Sequence, residues 1–150
     1  MKEPYTAPCI RSVEYALSLL KTAQCPSADD IRHRRRAALI ARQAAFDELR
    51  RRFITPLDRE DLWQLRRCCE RIAEAAENAQ LLARDTALLS AECTLLLSAL
   101  TALPLYPKDE RVLQHLTDAE KQLLSMPPEP LSSACAATIE VMRLIVLKAT

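Results

Sequence analysis

Apolar residues along this chain recur at intervals of three and four, the period of an amphipathic helix, and no stretch alternates as a strand would. A first helix is predicted from about Cys9 to Gln24, with Val13, Ala16, Leu17 and Leu20 on one face. Cys25-Pro26-Ser27 is a turn, and Ser27 with Asp30 forms an [ST]-x-x-[DE] capping signature for a second helix to Phe53. Its inner stripe is Ile31, Ala38, Leu39, Ala45, Phe46, Leu49 and Phe53. Pro56 forces Thr55 out of the helical region, so that helix must stop there. Asp58 can cap the next one, with Glu60 and Asp61 in its first turn against the helix dipole. Leu62, Leu65, Cys69, Ile72, Ala76 and Ala79 then form a seam, and the rhythm continues through Leu89, Cys93, Leu97 and Leu100.

One uninterrupted helix from Asp58 to Leu103 would be about 70 Å long, so a break is expected near Arg84-Asp85-Thr86, with Asp85 as cap. Pro104 and Pro107 make a turn before a helix from about Asp109 to Ser125, with Val112, Leu116 and Leu123 inward. Pro127-Pro128-Glu129-Pro130 reads as a stiff linker to a last helix from about Ser132 to Leu147. The expected architecture is an all-α antiparallel bundle of five or six helices. Residues 1–8 form a flexible tail and 9–150 a single domain in this reading.

Composition narrows the function. At 150 residues one domain can bury roughly two-thirds of its unfolded surface. Glycine is absent, which excludes a Walker loop, a Rossmann dinucleotide turn and a nucleophile elbow, all of which need its backbone freedom. A formal net charge of +1 gives no pull toward nucleic acid or an anionic membrane. The six cysteines lack CxxC spacing and read as small core residues rather than as a zinc site or disulfide scaffold. The N-terminus lacks a signal-peptide apolar region, and no apolar run is read as approaching a membrane span. A cytoplasmic, non-enzymatic protein is expected, peripheral to the membrane only through a partner.

Several side-chain groups carry candidate chemistry. Arg32, Arg34, Arg35, Arg36, Arg42, Arg50, Arg51 and Arg52 on the second helix outnumber Asp29, Asp30, Asp47 and Glu48 by four. They could dock an acidic partner, with Arg32, Arg35, Arg36 and Arg42 the chosen residues, or be a solvated face. Trp63 is either a helix-end packing residue or a partner anchor. Glu70, Glu74 and Glu77 have Arg66, Arg67 and Arg71 within helical reach, and such pairs are ordinary surface stabilisation. Asp30-x-x-His33 has one element of a ferritin-like di-iron site, but Val112 stands where His115 would need its acid, so that enzyme reading ranks last. Cys68 with either histidine as a nucleophile pair is weaker still.

The run Phe53-Ile54-Thr55-Pro56-Leu57-Asp58-Arg59-Glu60-Asp61 resembles the Phe-Ile-Thr-Pro-Ile-Asp-Arg-Glu-Asp-Ile hairpin of the PhoU-like phosphate transport regulators, in the branch associated with Pit transporters. Leu57 and Leu62 stand at the two isoleucine positions. The resemblance covers most of the chain, with the hairpin its specific part and a shortened stretch before the last helix. It implies an accessory or regulatory protein of inorganic phosphate uptake, working through contact with a transporter or its regulators. Self-association is expected separately, because the helix from Asp58 onward alternates apolar groups over an unusual length. The resemblance also implies divalent or ferric metal bound by paired acids, which share a helix face at i and i+4. Counted without gaps, these fall on Glu70 and Glu74, with Glu77 following, and on Asp118 with Gln122 as the second member. The preceding helix has Arg35 and Leu39 at its pair, and Ser133 stands where another acid belongs. The alternative is a helical scaffold that has lost the metal chemistry.

Overall fold

The computed structural model describes residues 6–22, 59–78, 83–104, 110–126 and 129–149, with Asp29, Arg32, His33, Arg36, Ala37 and Ile40. The Phe53–Asp58 part of the hairpin, the inner stripe of the second predicted helix, Cys25, Arg35 and Arg42 lie outside the described residues. The described residues between Asp29 and Ile40 are helical and exposed. The chain is all-α, with five helices and no strand among the described residues: α1 (Ala7–Thr22), α2 (Arg59–Asn78), α3 (Ala83–Ala102), α4 (Glu110–Leu123) and α5 (Pro130–Ala149).

Two helix starts have a local reason. Glu60 and Asp61 stand in the first turn of α2, next to its unpaired amides, where negative charge is favoured. Pro130, whose missing N–H costs nothing at a first helical position, opens α5. Just before it, the Glu129 amide donates to Ser132 Oγ at 3.1 Å and the Ser133 amide to the Glu129 carbonyl at 2.9 Å. On α3 the polar face is made of hydroxyls: Thr94, Ser98 and Thr101 each donate to the carbonyl four residues back.

The helices pack in a closed circuit, α1 on α2, α2 on α5, α5 on α4, α4 on α3 and α3 on α1, with a smaller contact of α3 across to α5. The predicted seams supply the interior. Val13, Ala16 and Leu20 are buried with Leu65, Cys69, Ile72, Leu89, Cys93 and Leu100, and with Val112, Leu116, Ile139 and Met142. Leu62 and Ala76 join the same core, so the described part of the seam is covered within the chain. A fully buried Leu or Ile contributes about 1.5–3 kcal/mol of transfer free energy, and this shared core holds all five helices.

The long helix considered from Asp58 to Leu103 is two helices. Thr6 Oγ1 donates to the Leu100 carbonyl at 3.0 Å, Cys9 is buried in one core with Cys69, and α1 packs on both α2 and α3. A straight helix would separate residues 69 and 100 by about 46 Å, yet Thr6 and Cys9 lie a single helical turn apart. The chain therefore doubles back between α2 and α3. The expected break at Arg84-Asp85-Thr86 is corrected: those residues are helical, inside the first turns of α3, and the boundary falls between Asn78 and Ala83.

A second correction concerns hydropathy. Residues Pro130–Lys148 of α5 are long and apolar enough to cross a membrane by length and composition, contrary to the reading that no apolar run approaches a span. Half of that window is buried inside the fold. Leu131, Cys135, Ile139, Met142, Ile145 and Val146 form the inward face, and the central helix of a helical domain passes the same test.

Candidate functional site

The seam that seats α2 against α5 leaves an open cleft at one end, of about 690 Å³. The last turns of α2 contribute Arg71, Glu74 and Asn78, and the start of α5 contributes Glu129 and Ser133. Its floor is small and apolar, from Ala75, Ala134 and Ala137. Arg71 and Ser133 are exposed, while Glu74 and Glu129 are half-buried. Two carboxylates and one guanidinium thus border an open cleft with small apolar side chains between them. Glu74 and Ser133, two positions that the resemblance assigns to acidic sites, share this cleft.

Glu70, one turn before Glu74, points elsewhere. Its Oε2 lies 2.8 Å from Arg67 Nη1 and its Oε1 3.4 Å from Arg66 Nε. Glu70 is 3 % exposed and Arg66 7 %. The expectation of ordinary surface pairing is corrected here: the Arg66–Glu70 pair is buried and the Arg67–Glu70 pair partly so, and the Glu70 charge is held by cations on its own helix. The seam itself causes this, because positions 66, 69, 70 and 73 fall on the face of α2 that the other helices cover.

The other expected residues are dispersed. Glu77 is buried near the end of α2. Asp118 is half-buried on α4, where its Oδ1 accepts from Gln114 Nε2 at 2.9 Å. Gln122, at the position of the missing acid, donates from Nε2 to the Leu88 carbonyl at 2.9 Å and ties the end of α4 to the start of α3. Arg32 is exposed and pairs with the equally exposed Asp29 at 3.1 Å, and Arg36 is exposed as well. Trp63 is half-buried on α2. Among the described residues no three His, Cys, Asp or Glu side chains gather as a metal site. The residues present do not fit the metal that the resemblance implies, since both oxygens of Glu70 already face guanidinium groups.

One feature escaped the sequence reading. Glu92 on α3 is fully buried, and neither carboxyl oxygen has a hydrogen-bond partner. Burial pushes its carboxyl up to about 8, so the group is mainly neutral at pH 7. Its signal was present: Glu92 falls three after Leu89 and four before Leu96, within an apolar stripe. The described cysteines lie in the core, as their reading as small core residues expects. Cys9, Cys68, Cys69, Cys93 and Cys135 are all reduced and buried. Hydrogen bonding to Cys9, then burial, raises the Cys69 thiol well above its usual range. Hydrogen bonding to Cys93, then burial, does the same to Cys135.

Comparison with protein-family models, with curated proteins and with solved structures gives no match.

Proposed function

We propose that this chain is a non-enzymatic accessory or regulatory protein of inorganic phosphate transport, of PhoU-like bundle type, acting in the cytoplasm through protein–protein contact. The supporting observation is the Phe53–Asp61 run that leads into α2, the same helix whose last turns border the open cleft with Arg71, Glu74 and Asn78. In this reading the cleft receives a segment of a transporter or of one of its regulators. Arg71 pairs with an acid of that segment, and Ala75, Ala134 and Ala137 accept an apolar residue. Arg32 and Arg36, both exposed, offer a separate cationic contact for an acidic partner.

The test is affinity capture from the native host, with phosphate uptake measured after deletion of the gene. Recovery of a phosphate transporter component with wild-type protein, weakened at least tenfold by Arg71→Glu, supports the reading. Unchanged uptake and repression, with no transporter component recovered, would refute it.

A second reading is a helical scaffold without metal chemistry, favoured by the engagement of Glu70 with Arg66 and Arg67. It predicts purified protein free of iron and zinc, and a melting temperature indifferent to chelator.

A further inference from the structure

Large apolar side chains left exposed are not scattered over this fold. Among the described residues, Leu113 and Leu124 come from α4 and the turn after it, Leu144 and Leu147 come from α5, and Ile40 completes the set. Leu113, Glu120 and Leu124 follow at intervals of seven and four, so they share one side of α4. The Leu124 amide donates to the Glu120 carbonyl at 3.3 Å, which carries the helical turn past Leu123. Glu120 is ion-paired with Arg143 of α5, so this side of α4 adjoins the outer side of α5. Glu140, Leu144 and Leu147 stand on that outer side at helical spacing, with Leu144 49 % and Leu147 67 % exposed. They belong to the half of the apolar window Pro130–Lys148 that the fold does not bury. The α2 seam from Leu62 to Ala76 is covered within the chain. This face is not.

We propose that the outer side of α5 is a two-fold interface for a second copy of this chain, with the two α5 helices antiparallel and centred on Leu144. Charge selects both the occupant and the register. Glu140 is the sole acid of α5, and Lys148 follows it two turns later. An antiparallel two-fold about position 144 sets 140 against 148 and 141 against 147, because each pair is equally far from the centre. Leu144 then meets its own copy, half-buried Val141 meets Leu147, and Glu140 of each chain meets Lys148 of the other. One symmetry operation forms both ion pairs, as a self-complementary interface requires. Lys148 keeps Asp61 of its own chain at 2.9 Å, and its side chain is exposed enough to meet a second carboxylate. Centring the axis one turn earlier would set Glu140 against Glu140, which like-charge repulsion opposes. A lipid surface fits less well, since a carboxylate beside these leucines is costly in hydrocarbon and repelled by anionic headgroups. The overlap uses the second half of α5 and leaves the cleft at its start open. The interface therefore stands apart from the function proposed above.

The experiment is sedimentation velocity of the full chain with dithiothreitol present, from micromolar to submillimolar concentration. The wild type should show a reversible monomer–dimer equilibrium. Leu144→Glu should weaken it by about tenfold or more, while the melting temperature of the dilute protein stays the same because the side chain is exposed. Glu140→Lys and Lys148→Glu should each weaken self-association by a similar factor. Mixed together, those two variants should recover wild-type affinity, since both ion pairs re-form between unlike chains and not between like ones. A chain that is monomeric throughout, a dimer indifferent to Leu144→Glu, or a mixture no tighter than either variant alone would overturn the proposal. So would a monomer that floats with phosphatidylcholine vesicles and loses that binding with Leu144→Glu, for the face would then be a lipid contact. A dilute Leu144→Glu protein that melts at a markedly lower temperature would also overturn it, because the chain itself would then cover the face.

Discussion

Lys148 Nζ lies 2.9 Å from Asp61 Oδ2, joining the last turn of α5 to the first turn of α2. Each charge is favourable to the dipole of its own helix, and the ion pair locks the two helices in opposite directions. The cleft at the far end follows from that alignment, because it brings Arg71–Asn78 beside Glu129–Ala137. The Lys148 side chain is 56 % exposed and that of Asp61 11 %, so solvent weakens the pair itself. A double-mutant cycle with Asp61→Asn and Lys148→Met should give a coupling of about 0.5 kcal/mol. Asp61→Asn alone should cost about 1 kcal/mol in urea unfolding, since the helix start loses its charge as well.

The Glu92 carboxyl should impose a pH dependence. Its folded pKa, about 8, is raised above the ordinary 4.5, so the folded chain holds this proton more tightly than the unfolded chain. Stability from this group is greatest below about pH 4.5, falls as pH rises toward 8, and is flat above that. The group faces Cys135 of α5, whose thiol stays neutral across that window. Glu92→Gln should remove the slope and stabilise the protein at pH 8 by a few kcal/mol, measured as urea midpoints from pH 5 to 9. A parallel slope in wild type and variant would show that other groups cause it.

Glu70→Ala should be among the most destabilising surface-independent substitutions on α2. It leaves the Arg66 guanidinium buried without its carboxylate, at a cost of about 3 kcal/mol. Arg66→Met together with Glu70→Leu should recover most of that loss, because neither charge is then stranded. Addition of divalent cations should not alter either result, as followed by thermal unfolding.

Thr6→Val tests the start of α1. The valine is close in volume but cannot donate to the Leu100 carbonyl, and the loss should be about 1 kcal/mol. Hydrogen exchange should speed up at Cys9 and Ile10 and remain unchanged in α5.

Much of the fold was legible in the spacing of apolar residues. Val13, Ala16 and Leu20, or Val112 and Leu116, were identifiable as interior because a helix places such positions on one stripe. Helix ends were close where a proline or an acidic first turn marks them, as before Arg59 and Pro130. The boundary between α2 and α3 was misplaced because no proline or glycine lies there and the apolar rhythm carries across it. At the candidate site Glu74, read as a metal ligand, borders the cleft, whereas Glu70 turned to its arginines. Arg71 was read as a pairing partner for the glutamates, and it borders the cleft instead.

The sequence by itself determined an all-α chain and which residues of each helix turn inward, because helical periodicity is a one-dimensional property. Only the tertiary structure decided which stripe meets which. It set Thr6 on the Leu100 carbonyl, enclosed Glu92 without a partner, and aligned α2 with α5 to leave a cleft between them. Those outcomes depend on how helices cross and where the chain reverses. A carboxylate becomes an ion-pair partner or a buried neutral acid only through what its surroundings place beside it.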